Sequence, residues 1–221
     1  MKDIFLTFEG PDGAGKTTQL RRLADSLTKL GYDIVVTREP GGTSISDKIR
    51  SLILDPEHAE MKDQTEVLLY AASRAQHVRE LIVPALEANR IVLCDRFVDA
   101  SIAYQAYGLG LDVEQVAAVN SFATGGLKPT RTYLLDVPVE TSLQRLYSRA
   151  QASGGEALDR IELKGETYHS RVRDGFMTLL EENPNRMRLI DANRSEDEIA
   201  ADILRDCNEL LDRVFFPQPE V

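Results

Sequence analysis

The 221-residue sequence has only two cysteines, Cys94 and Cys207, far apart and in no metal-ligand spacing. Neither a disulfide framework nor a thiolate metal site is expected, and a reducing compartment fits. Basic charge is also in deficit: 26 Lys and Arg stand against 36 Asp and Glu, a formal net charge of −10. A general nucleic-acid or membrane-surface binder would carry a basic face, so neither partner is expected. A small phosphate ligand remains compatible, because it needs only local positive charge. Long apolar runs are missing. The first, Ile4 to Phe8, is too short for the apolar region of a secretory signal, and no segment approaches a membrane span. A cytoplasmic protein is expected. No repeat or long linker divides the chain, so residues 1–221 are read as a single domain.

What is present alternates regularly. Short apolar runs at Ile4–Phe8, Ile34–Thr37, Ile91–Cys94, Tyr133–Leu135 and Met187–Ile190 read as strands. Near-continuous apolar strands of this length suit a parallel sheet covered on both faces. Helical patterns lie between them: Thr17–Leu30, Ser44–Leu54, Asp63–Glu87, Val113–Phe122, Val139–Ala150, Tyr168–Glu182 and Glu196–Val214. The alternation predicts an α/β fold, a doubly wound parallel five-stranded sheet, with ligands beyond the C-terminal ends of the strands. Acidic residues stand just past four of the runs: Glu9, Asp95, Asp136 and Asp191.

Between the first strand and the first helix, Gly10-Pro11-Asp12-Gly13-Ala14-Gly15-Lys16-Thr17 fits G-x-x-x-x-G-K-[ST] at every fixed position, and Thr18 follows. Glycines let successive N–H groups turn toward anionic phosphates, and the helix N-terminus adds partial positive charge. Lys16 is placed to reach the β- and γ-phosphates of ATP and Thr17 to ligate Mg²⁺. A regulatory GTPase would need an Asn-Lys-x-Asp guanine reader, and the chain has no Asn-Lys pair. A motor ATPase usually carries a catalytic glutamate after a Walker B aspartate, but Asp95 is followed by Arg96. A small-acceptor kinase is left.

Two further strand ends carry chemistry. Asp95 is positioned to order the Mg²⁺ water shell and Arg96 to meet the transferring phosphate; a salt bridge capping the strand would use the same pair. Arg38-Glu39-Pro40-Gly41-Gly42-Thr43 would aim Glu39 at the metal or a bound water, though a simple turn would also use that sequence. Gln151 to Glu156 is small and polar with Arg145, Arg149 and Arg160 around it. It reads either as a solvated loop or as a phosphate-closing lid at about 149–162.

Glu9 to Gln19, Arg38 to Thr43, Leu69-Tyr-Ala-Ala-Ser-Arg74, Asp95-Arg-Phe97 with Ala103-Tyr-Gln105, and Leu158 to Glu162 together resemble thymidylate kinases, in the family's order. The resemblance implies a P-loop nucleoside monophosphate kinase-like fold, MgATP as phosphate donor, dTMP as acceptor and a homodimer. It also implies that Tyr70 stacks on thymine and Arg74 hydrogen-bonds it. Spacing along the helix alone would instead bury Tyr70 and solvate Arg74. The family pattern further assigns Arg96, and Arg50 as an alternative to a solvated helix charge, to the acceptor phosphate. Tyr104 would crowd a ribose 2′-OH, Ser101 and Gln105 would contact the base, and Asp12 would meet the deoxyribose or the transferring end. Phe97 stands where tyrosine is common, and Ala100 where serine or asparagine is frequent. The loop holds Gly13 and no arginine, so the resemblance is to the type whose catalytic arginine comes from the lid: Arg149 or Arg160, with Arg145 third.

Overall fold

The computed structural model describes residues 3–152 and 158–215. Strand β1 (Phe5–Glu9) is followed by α1 (Lys16–Lys29), β2 (Ile34–Arg38), α2 (Ser44–Leu54) and a short 3₁₀ turn at Pro56–His58. Helix α3 (Asp63–His77) passes through a π-helical turn, Val78–Ile82, into α4 (Val83–Glu87). Next come β3 (Ile91–Asp95), α5 (Val98–Ser101), a π-helical stretch Ile102–Gly108, and α6 (Val113–Thr124). Strand β4 (Arg131–Asp136), α7 (Val139–Ala152), α8 (Glu166–Glu182), β5 (Met187–Asp191) and α9 (Glu196–Phe215) complete the described elements.

The five strands form one sheet in the order β2-β3-β1-β4-β5, and every pairing is parallel. Central β1 is buried along its whole length, whereas edge strands β2 and β5 expose Val36 and Leu189. That contrast explains why the inner strands read as continuous apolar runs. On one face, α1 seats Leu20, Leu23 and Leu27, and α9 seats Ile199, Ile203 and Leu211, against Leu6, Phe8 and Leu135. Each such buried side chain contributes roughly 1.5–3 kcal/mol relative to leaving it exposed. On the other face, Tyr168, Val172 and Phe176 of α8 pack on Ala103 and Tyr104 of the π-helical stretch.

All five expected strands and seven expected helical regions recur, with ends shifted by a few residues at most. The long segment Asp63–Glu87 is helical throughout but carries the π turn. The helical stretch from Val98 to Gly108 has no counterpart among the expected helices. Its residues follow Asp95-Arg96 without a side-chain cap, and its register is set by packing on α8 rather than by a local stripe.

Candidate active site

Parallel topology carries the C-terminal ends of β1 and β3 side by side, with Phe8 paired to Asp95. The loop after β1 must turn at once. Gly10 does so at φ 130°, where a Cβ would stand 2.1 Å from the Leu135 carbonyl oxygen. No side chain can replace it. Gly15 caps α1 at φ 87°, and the space where its Cβ would stand is open. The Lys16 ammonium is folded over the loop, donating to the carbonyls of Gly10 at 3.1 Å and Pro11 at 2.7 Å. Burial, then the neighbouring Arg96, pull its pKa down to about 8 against the opposing pull of Asp12, Asp95 and Glu9. Thr17 donates its hydroxyl proton to the Asp95 carboxylate.

Arg96 sits at φ 70°, a conformation that costs a non-glycine residue roughly 1–3 kcal/mol. Surrounding bonds hold it there: its own N–H donates to the Phe8 carbonyl, and the next N–H, of Phe97, donates to Glu9 Oε1 at 2.7 Å. The guanidinium thereby turns over the phosphate loop. It donates to the Gly10 carbonyl at 3.1 Å, to the Asp12 carboxylate and to the Tyr104 hydroxyl at 3.1 Å. It also lies 4.8 Å from the Tyr104 ring centroid, and Tyr104 donates to Asp12 Oδ2 at 2.8 Å. Burial alone would raise the Asp12 pKa, but Arg96, Lys16 and the Tyr104 hydrogen bond outweigh it and hold this carboxyl well below its usual range.

Glu9, fully buried beneath the loop, behaves oppositely. Burial first, then Asp99, push its pKa up to about 8, with Arg96, the Phe97 N–H and Lys16 opposing. Its Oε2 lacks a partner among the described residues. Because the folded pKa exceeds the unfolded value of 4.5, Glu9 stabilises the fold fully below pH 4.5 and loses that contribution as pH rises to about 8. Urea melts should therefore show wild type losing a few kcal/mol relative to Glu9→Gln across this window; parallel curves would contradict the assignment.

A cavity of about 1040 Å³ opens from the phosphate loop toward α3 and the π-helical stretch. Tyr70 is half-buried on its wall, whereas Arg74 is only 2% exposed. This reverses the expectation from helical spacing. Arg74 donates from Nε to Glu39 at 2.6 Å, from Nη1 to Ser101 at 2.8 Å and to Asn120, and from Nη2 to the Phe97 carbonyl at 3.0 Å. Glu39, expected to face a metal or water, lines the cavity and has its other oxygen paired with His77 Nδ1 at 2.9 Å. Arg50 donates to the Pro40 carbonyl at 2.9 Å and faces the cavity, as do Ala100, Ser101, Tyr104 and Gln105. Phe97 is buried against Phe5, ring centroids 4.9 Å apart, in a site with no need of a hydroxyl.

The arginines near the expected lid diverge. Arg149 lines the cavity, its side chain 60% exposed and paired with Glu162. Arg145 also lines the cavity, and donates to the Gly13 and Ala192 carbonyls, both at 3.3 Å. Arg160, the other candidate, points to the Ile53 carbonyl at 2.8 Å and Glu66 at 2.7 Å, and is not among the described residues that line the cavity. The middle of the expected lid, 153–157, lies outside the described residues.

Glu66, His77, Asn120 and Arg21 stand at or beside the cavity without an expectation from the sequence. Asn120 had a faint signal, a polar residue inside the apolar stretch of α6; Arg21 on the rim follows Thr17 by one helical turn. The donor set of loop N–H groups, Lys16, the Thr17 hydroxyl and the Asp95 carboxylate suits a nucleoside triphosphate with Mg²⁺, a cation that prefers oxygen ligands and shares them with phosphates.

Fold and site together define a P-loop kinase in which one cavity runs from the phosphate loop to Tyr70 and Arg74. The thymidylate kinase family model matches residues 8–203. A thymidylate kinase of Exiguobacterium sibiricum is 58% identical over 206 residues, spanning 93% of this chain and 94% of its own. That of Geotalea uraniireducens is 50% identical over 199 residues, 90% of this chain and 93% of its own. The crystal structure of a thymidylate kinase from Ehrlichia chaffeensis superposes with a TM-score of 0.75 at 30% identity, covering 94% of this chain and all of that one. The chain belongs to the thymidylate kinase family.

Proposed function

We propose that this protein transfers the γ-phosphoryl group of MgATP to dTMP, giving dTDP and ADP, as a single cytoplasmic domain with a closing lid at about 149–162. The observation that carries the reading is the Asp12–Arg96–Tyr104 cluster, which joins the phosphate loop to the wall where Tyr70 and Arg74 stand.

The acceptor is a phosphate monoester with a second pKa of about 6, already largely ionised at pH 7, so no general base is required. The barrier is electrostatic, because two anions must be aligned. Loop N–H groups hold the donor phosphates, and Lys16 exchanges its loop carbonyls for phosphate oxygens, stronger charge-assisted partners. Arg96 holds the acceptor phosphate in line, with Arg50 beside it. Asp12, kept ionised, fixes Arg96 and Tyr104 and faces the deoxyribose, where Tyr104 excludes a 2′-OH. Thr17 and Asp95 would hold Mg²⁺, which neutralises phosphate charge when bound. Tyr70 stacks on the base, while Ser101, Gln105 and the Arg74 N–H that has no partner among the described residues read its edge.

Initial rates with dTMP, dUMP, dCMP, AMP and thymidine test the reading. The highest kcat/KM is expected for dTMP, and a preference for any other acceptor refutes it. For the catalytic arginine we favour Arg149, since Arg160 is tied to Glu66. Arg149→Ala should slow single-turnover transfer at least about tenfold, ~1.4 kcal/mol; Arg160→Ala should act on thermal stability instead. Equal rates for Arg149→Ala and wild type would remove Arg149 from the mechanism.

A homodimer is proposed through the packed helices α3 and α6, which expose Leu68 and a 90% exposed Phe122. Leu68→Glu with Phe122→Glu should yield a monomer in sedimentation velocity; an unchanged dimer places the interface elsewhere.

A further inference from the structure

Glu66 is 1% exposed, on α3 one helical turn before Tyr70, and both of its oxygens are committed. Oε2 accepts from Arg160 Nη2 at 2.7 Å, and Oε1 accepts from Gln105 Nε2 at 3.0 Å. Gln105, also 1% exposed, lines the cavity, and its Oε1 has no partner among the described residues. A carboxylate paired with a guanidinium only accepts hydrogen bonds. Gln105 must therefore present its amino group to Glu66 and keep its carbonyl for something else. A buried acceptor without a donor is unfavourable until a ligand supplies one.

We infer that Glu66 is a positioning residue for base selection: by holding the Gln105 amide in one orientation, it leaves an acceptor that takes a pyrimidine with an N3–H and opposes one with an N3 lone pair. Thymine and uracil carry that N3–H; cytosine carries the lone pair. Arg74 agrees in sign, because among the described residues four of its five N–H donations are used and the one remaining suits a ring carbonyl rather than an exocyclic amino group. Arg160 thus acquires a use different from catalysis. Its pairing keeps Glu66 an acceptor and ties the segment after the lid to the base pocket.

The inference rests on the dTMP kinase reading, and kcat/KM for dTMP, dUMP and dCMP on the full chain separates the two. If wild type does not prefer dTMP to dCMP, both fail. If it does, Glu66→Gln, whose amide can donate as well as accept, should lower the dTMP-to-dCMP ratio at least about tenfold, mainly through KM. The dTMP-to-dUMP ratio should stay unchanged. In a Gln105→Met background the same substitution should leave the dTMP-to-dCMP ratio where Gln105→Met alone puts it. An unchanged ratio in Glu66→Gln, or an equal change in both backgrounds, overturns the inference. Should Glu66→Gln fail to fold because Arg160 is left unpaired, Glu66→Gln with Arg160→Met carries the same readout.

Discussion

Lys16→Met is expected to lower dTMP-dependent ADP formation at least about a thousandfold, ~4 kcal/mol of transition-state stabilisation, with the fold intact. The two halves of that result have one cause. The ammonium is buried, with two backbone carbonyls as its partners among the described residues, and its pKa of about 8 marks the cost of holding charge there. Polyphosphate oxygens are the stronger partners it lacks, so the interaction is realised on the reaction path. Methionine removes the desolvation cost of the cation and leaves two loop carbonyls short of one partner, two effects of opposite sign on stability. Thermal unfolding should shift by no more than a few degrees while turnover disappears. Activity within tenfold of wild type would show that Lys16 does not meet the transferring group.

Arg96→Lys should reduce kcat/KM for dTMP by roughly a hundredfold, and Arg96→Met by roughly a thousandfold. Charge survives in the first variant, but geometry does not. The guanidinium spans the Gly10 carbonyl, Asp12 and Tyr104 at once while its plane lies against the Tyr104 ring. An ammonium is a point charge and cannot make that fork. The fold also spends strain to aim this side chain, holding Arg96 at a positive φ through the Phe8 carbonyl and the Glu9 carboxyl. Steady-state rates across both substitutions check the order. If lysine serves as well as arginine, charge alone suffices and the clamp around Arg96 has another purpose.

Residues whose chemistry depends on local spacing were the legible ones. The turn from β1 into α1 needs glycine at Gly10 and Gly15 and presents Lys16 and Thr17 by sequence alone, so the phosphate loop could be read directly. The sheet was equally plain, because buried parallel strands leave uninterrupted apolar runs. Arg74 was not readable from its helix. Its burial depends on Glu39, Ser101 and Asn120, which lie 35, 27 and 46 residues away and converge only in the fold. Arg160 likewise matched the pattern of a lid arginine, yet its partner Glu66 is 94 residues distant. The helical stretch Val98–Gly108 was hidden for a related reason: its π-helical part follows no three-to-four-residue stripe, and the surface that orders it comes from α8. Tertiary partners decided each of these cases, and local propensity could not announce them.

In the proposed reaction, the phosphate loop and the Tyr70–Arg74 wall serve one transfer between two bound nucleotides. Following the label from ATP carrying a radioactive γ-phosphate, with Mg²⁺ and dTMP present, tests it most directly. Label is expected in the β-phosphate of dTDP, with ADP formed in equal amount and little free phosphate. Label released as inorganic phosphate at the same rate with and without dTMP would contradict it.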